Sequence, residues 1–125
     1  MSGLQQILVV DDEKLLLLTI RVILERAGYR VTTAQDGYEA LRCLKSKGYT
    51  LAIVDLRMPG LDGLDLILEI RKAYPDMLIV VFAANGNDDS VKEATARGAN
   101  AYLVKPIDPS LFLDKVRDIV QLHPA

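Results

Sequence analysis

Residues 7–13 read ILVVDDE. Four apolar residues, Ile7 to Val10, run without a polar break, as in a parallel strand buried on both faces, and the run stops on three consecutive carboxylates. From Lys14 to Ala27 the apolar Leu16, Leu17, Ile20, Ile23, Leu24 and Ala27 recur at helical spacing, with Gly28 as the C-terminal stop. A buried strand, an acidic turn and an amphipathic helix thus make one β–α unit, and the rest of the chain repeats the pattern.

Tyr29 to Ala34 predicts a second strand. Asp36 and Glu39 have the spacing of a capping box for a helix from about Gly37 to Ser46, closed by Gly48. Thr50 to Val54 is a third buried strand, stopped by Asp55 and followed by a turn-rich segment with Pro59, Gly60 and Gly63. A third helix is expected from about Leu64 to Ala73 with Pro75 beyond it, a fourth strand from Met77 to Phe82, and a loop at Asn85, Gly86 and Asn87. A fourth helix follows from about Asp89 to Arg97, ended by Gly98, then a fifth strand from Ala101 to Val104. Asp108 caps a last helix running from Pro109 to about Gln121. Joined by right-handed crossovers, five such units form one parallel sheet with helices on both faces, a three-layer α/β/α sandwich whose functional groups gather beyond the carboxyl ends of the strands.

Length and charge narrow the function. The 125 residues suit a single domain spanning 1–125, and half of them are hydrophobic. The longest apolar stretches, Ile7 to Val10, Leu15 to Leu18 and Met77 to Ala84, are far too short to cross a bilayer, so no membrane association is expected. Fifteen Lys and Arg against seventeen Asp and Glu leave a net charge of −2, without the basic excess of a nucleic-acid surface. Cys43 is the only cysteine, and no signal-peptide pattern opens the chain; a cytoplasmic location is expected. Cys43 is read as a packing residue of the second helix, and His123, near the C-terminus, as neither phosphodonor nor ligand.

The fold brings Asp11, Asp12 and Glu13, after the first strand, beside Asp55, after the third. Two unit charges ~5 Å apart repel by about 3 kcal/mol at an effective dielectric near 20, so a cation is expected among them. Hard oxygen donors with no His or Cys nearby suit Mg²⁺ and not zinc. Lys105 follows the fifth strand at the same edge, where it either neutralises the acids or acts with them; Pro106 beside it shapes the turn. An Asp nucleophile, a divalent cation and a Lys together stabilise a phosphoryl group in transfer.

At this point the chain resembles the receiver domain of two-component response regulators. The likeness is carried by ILVVDDE (7–13), LAIVDLRMPGLDGLDLI (51–67) and GANAYLVKPID (98–108), in this order and at these spacings. The resemblance implies a flavodoxin-like fold with strand order 2-1-3-4-5. It implies that Asp55 takes a phosphoryl group from a sensor histidine kinase or phosphotransfer protein. By the same resemblance Mg²⁺ is held by Asp12, Asp55 and the main-chain carbonyl of Arg57, with Asp11 acting through water. Lys105 and the amide of Ala84 bind the phosphoryl oxygens, while Arg57 and Asn85 flank the acceptor and tune the lifetime of the acyl phosphate. Glu13 is read as a solvated residue of the first helical turn, Pro59 and Gly60 as backbone-shaping, and Met58 as packing. Such a domain catalyses only its own phosphorylation and dephosphorylation and is not otherwise an enzyme. The implied interaction face is helix 4, strand 5 and helix 5, contacting an output domain or a second copy, the chain being a stand-alone receiver or the receiver portion of a longer regulator.

One position departs from the family pattern. Ala83 stands where receiver domains carry Thr or Ser, and no Ser or Thr occurs between Thr50 and Ser90. The switch partner Tyr102 is retained. A hydrogen bond to a charged group, worth about 1.5–3 kcal/mol, is therefore missing from the phosphorylated state, and Tyr102 is expected to point inward even at rest. Three other functions compete. A flavoprotein is disfavoured by carboxylates where a flavin phosphate would sit. An aspartyl-phosphate hydrolase lacks a second carboxylate two residues after Asp55, where Arg57 stands. A phosphorylation-independent interaction module is favoured by Ala83 and opposed by the retention of Asp11, Asp12, Asp55 and Lys105.

Overall fold

The computed structural model describes residues 5–58, 62–83 and 89–122. The elements alternate without exception: β1 (Gln6–Val10), α1 (Lys14–Arg26), β2 (Arg30–Ala34), α2 (Gly37–Ser46), β3 (Leu51–Asp55), α3 (Gly63–Ala73), β4 (Leu78–Ala83), α4 (Asp89–Arg97), β5 (Ala101–Val104) and α5 (Pro109–Leu122). The strands form one parallel sheet in the order β2-β1-β3-β4-β5. The expected three-layer sandwich and strand order both hold.

Period-two alternation along buried strands gives the sheet two apolar faces. Leu8, Val10, Ala52, Val54, Ile79 and Val81 pack with residues of α2, α3 and α4, including Leu44, Ile67 and Ala94. Ile7, Val9, Ile53, Val80 and Phe82 pack on the other face with α1 and α5, against Ile20, Leu24, Phe112 and Val116. Each fully buried large side chain contributes about 1.5–3 kcal/mol of transfer free energy. Met58 is buried, and Cys43 lies partly buried against the first of these clusters, as packing residues should.

Local signals in the sequence are realised as hydrogen bonds. Asp36 accepts from Glu39 N at 2.8 Å as the cap of α2, while Glu39 reaches back one residue past the cap to accept from Gln35 N at 2.6 Å. Asp108 accepts from the amides of Ser110 and Leu111 at the start of α5. Gly28 ends α1 with φ +99°.

Several boundaries differ from the sequence reading by a residue, β2 for one starting at Arg30, and those of β3, β4 and α3 bear on the site. β3 starts at Leu51 and includes Asp55, because Asp55 pairs with Phe82 and the Leu56 amide continues the ladder to the Phe82 carbonyl. β4 starts at Leu78, since the Met77 amide is used in a turn to the Tyr74 carbonyl, and it runs on to Ala83, whose carbonyl accepts from Lys105 N. α3 starts at Gly63, capped by Asp62, which accepts from Asp65 N at 2.9 Å. A Cβ on Gly63 would overlap the Asp55 carbonyl oxygen and come within 2.6 Å of Leu56 Cα. Only glycine lets α3 seat its first turn on the end of β3.

The register sets the carboxyl edge. Val10 pairs with Val54, so Asp11 and Asp55, each one residue further on, end adjacent central strands side by side. Ala83 pairs with Val104, which brings Lys105 to the same edge. At the amino edge, Arg71 near the end of α3 donates to the carbonyls of Pro75, Met77 and Gly98, each at 2.7 Å, and to Asn100 Oδ1 at 3.2 Å. Asn100 Oδ1 in turn accepts from Ile79 N at 2.8 Å.

Candidate functional site

Asp11 is fully buried at the end of β1. Its Oδ1 accepts from Glu13 N at 2.9 Å and its Oδ2 from Lys105 Nζ at 3.2 Å. Asp55 is 6% exposed; its Oδ1 accepts from Arg57 N at 3.2 Å and its Oδ2 faces Lys105 Nζ at 3.5 Å. Asp12 is exposed at the rim, yet Asp11, Asp12 and Asp55 each offer a carboxylate oxygen within 4.8 Å of the others. Glu13 Oε1 lies 3.6 Å from Lys105 Nζ. Leu56, Arg57, Phe82 and Ala83 complete the walls, with the Lys105 ammonium 5.9 Å from the centroid of the Phe82 ring. The Lys105–Pro106 peptide bond is cis.

Burial sets the charge balance. Desolvation pushes the Asp11 and Asp55 carboxyls above the ordinary range. The Glu13 amide and Lys105 resist this at Asp11, as the Arg57 amide and Lys105 do at Asp55, where the Asp11 charge adds to the rise. Burial also works against the Lys105 charge, but Asp11, Asp55 and Glu13 outweigh it and hold the ammonium above its usual range. One ammonium thus faces three carboxylates, those of Asp11, Glu13 and Asp55, with Asp12 adding a fourth acid beside Asp11 and Asp55. A compact group of hard oxygen donors with this surplus of negative charge could hold a metal ion.

Residues chosen from sequence converge here: Asp11, Asp12, Asp55 and Lys105 form the pocket, the Arg57 amide holds the Asp55 carboxylate, and Ala83 lines the wall with no hydroxyl to offer. Two readings need correction. Glu13 is not merely a solvated helix residue, because although 66% of its side chain is exposed its carboxylate reaches Lys105. Tyr102 does not point inward; it is 41% exposed on the edge strand β5 and lines a separate groove between β5 and α5. Ala84, Asn85, Pro59, Gly60 and His123 lie outside the described residues. Sequence reasoning missed Phe82, read as only the last residue of an apolar run, and the close approach of Gly63. An aromatic residue directly before the pocket position 83 was the available signal for the first.

Comparison with known proteins agrees with this geometry. The response regulator receiver domain profile matches residues 7–117. The chain is 36% identical over 115 residues to the transcriptional regulatory protein GlrR of Escherichia coli (strain K12), covering 92% of this chain and 26% of that protein. It is 38% identical over 104 residues to the DNA-binding transcriptional regulator NtrC of the same organism, covering 80% of this chain and 21% of that one. The chain therefore spans about a quarter of the length of these curated relatives. Among solved structures, the chemotaxis response regulator CheY4 of Vibrio cholerae superposes with a TM-score of 0.89 at 28% identity, covering 94% of this chain and 99% of that one. NtrX from Brucella abortus superposes with a TM-score of 0.91 at 30% identity, covering 96% of this chain and 27% of that one.

Proposed function

The chain belongs to the response regulator receiver domain family, and from that premise we propose that Asp55 takes a phosphoryl group from a phosphohistidine of a sensor histidine kinase or phosphotransfer protein. The observation that carries this reading is the pair of restraints on one buried carboxylate: Oδ1 held by Arg57 N at 3.2 Å, Oδ2 facing Lys105 at 3.5 Å. The carboxylate plane is thereby fixed before any donor arrives, which lowers the entropic part of the barrier.

In the transfer, an oxygen of Asp55 forms a bond to phosphorus as the bond from phosphorus to the donor imidazole breaks, leaving an acyl phosphate on Asp55 and a free histidine on the donor. Lys105 offsets the charge on the phosphoryl oxygens, and the Ala84 amide is a second donor to them. Asp12, Asp55 and the Arg57 carbonyl would hold Mg²⁺, with Asp11 acting through water. The ion supplies charge neutralisation at the phosphoryl oxygens. With a cation held there, Asp11 and Asp55 would repel one another less and Lys105 would be available to the phosphoryl oxygens. Arg57 and Asn85 tune the lifetime of the acyl phosphate.

Ala83 removes one hydrogen bond from the phosphorylated state and leaves phosphoryl capture itself intact, so the switch is weakened and the chemistry is not. The domain catalyses only its own phosphorylation and dephosphorylation. Tyr102 and the α4–β5–α5 face meet an output domain or a second copy, in a protein that works in the cytoplasm. Among the described residues no helix is long and apolar enough to cross a membrane.

Incubation with Mg²⁺ and acetyl phosphate tests the reading by intact mass. The expected result is a phosphoryl adduct of about 80 Da per chain that Asp55→Asn abolishes and chelation of the metal prevents. No adduct with acetyl phosphate or a phosphorylated donor protein would overturn it, returning the domain to a phosphorylation-independent interaction module.

A further inference from the structure

The acid pocket and the β5–α5 groove need a physical connection if one is to report on the other. Neither of the positions expected to make it does so here. Ala83 has no hydroxyl and packs on the opposite face of the sheet from α5, in the cluster with Val81 and Val91. Tyr102 faces the groove, 41% exposed, and is not among the residues lining the pocket. Among the described residues Phe82 alone lines both. Its ring is 1% exposed, lies 5.9 Å from the Lys105 ammonium, and is stacked with Phe112 of α5 at 6.0 Å between centroids and 16° between planes.

We propose that Phe82 is a positioning residue that couples Lys105 to α5, with Phe112 as its partner. The ring face attracts the ammonium, and at this distance the attraction is sensitive to small displacements of the charge. Stacked aromatic pairs have a preferred offset, so a shift of one ring is felt by the other. Lys105 is shared among Asp11, Asp55 and Glu13 at 3.2–3.6 Å, and a new anion at Asp55 redistributes that sharing. The ring then follows the ammonium and Phe112 follows the ring, altering the seat of α5 beside the groove. This second step rests on the phosphoacceptor reading above; the link from Lys105 through Phe82 to α5 does not.

Hydrogen–deuterium exchange of α5 amides, residues 109–122, tests the two parts separately. In the otherwise unaltered protein Lys105→Gln is expected to change α5 exchange about fivefold. In the Phe82→Leu background the same substitution is expected to change it less than twofold, and Phe82→Met, which keeps the volume without the ring, serves if Phe82→Leu does not fold. Equal responses in the two backgrounds would overturn the proposal, because a merely structural Phe82 shifts both baselines and leaves the response to Lys105 unaltered. Adding Mg²⁺ and beryllofluoride is expected to change α5 exchange in the same sense, and Phe112→Leu to cut that response at least threefold while the fluorine signal of the bound ligand persists. An undiminished response in Phe112→Leu would also overturn the coupling. Absence of a bound fluorine signal in the unaltered protein would instead sink the phosphoacceptor reading, with the Lys105→Gln comparison still deciding the link.

Discussion

The two edges of the sheet each gather acceptors around one cation, and they do so in opposite ways. At the amino edge the Arg71 fork meets neutral carbonyls of Pro75, Met77 and Gly98 at 2.7 Å apiece. At the carboxyl edge the Lys105 point charge stands 3.2, 3.5 and 3.6 Å from Asp11, Asp55 and Glu13, with no contact as short. The first cluster satisfies its hydrogen bonds with a group whose geometry is rigid; the second leaves an excess of carboxylates over the one ammonium that they share. One fold thus holds a closed joint and an open one. Stability secured at the amino edge permits electrostatic tension at the other.

The largest effect should come from breaking the closed joint. Arg71→Ala strands three carbonyls in two connecting segments and is expected to cost about 3 kcal/mol of unfolding free energy in urea titration, with Arg71→Lys recovering less than half. A loss under about 1 kcal/mol would erase the distinction between the edges. The next effect has the opposite sign. Asp55→Asn removes one of the crowded charges while leaving Asp11 as a partner for Lys105, so the metal-free protein is expected to gain about 1–2 kcal/mol. The stabilisation that Mg²⁺ gives the unaltered chain should shrink in the same variant, and destabilisation without metal would show that the carboxylates are not in tension.

The smallest effect is the dependence on pH. Asp11 and Asp55 hold their protons to higher pH folded than unfolded, so above the ordinary carboxylate range the folded state carries more protons. Stability of the metal-free protein therefore falls as pH rises through that window and is recovered on acidification from neutrality. Lys105 acts at the alkaline end: its contribution is complete below the ordinary lysine range and is lost only as pH rises through its higher folded value. Melting temperature followed from pH 7 to 5 checks the sign, and saturating Mg²⁺ is expected to flatten the slope. A melting temperature that fell steadily on acidification would contradict it.

The sequence made the sheet legible because its strands are buried on both faces and its caps are local: ILVV, the Asp36–Glu39 box and the Asp108 cap need nothing distant to be recognised. The acids and Lys105 were equally readable, since each directly follows a strand and the crossover rule sends strand ends to one edge. What escaped depends on distances between elements. Nothing in the order of residues announces that Arg71 spans from α3 to Gly98, that Gly63 touches the Asp55 carbonyl, or that Phe82 lies between Lys105 and Phe112. Tyr102 was misplaced because an expectation about the space beside Ala83 ignored that β5 is the edge strand of the sheet, where a side chain on the Ala83 face stays partly exposed.

Asp11 and Lys105 meet across 94 positions of chain. No fragment and no half-made sheet brings them together, because strands one, three, four and five must all be in register before the ammonium reaches the carboxylate. A nascent or damaged copy consequently lacks the assembled pocket, which doubles as a certificate of completed folding.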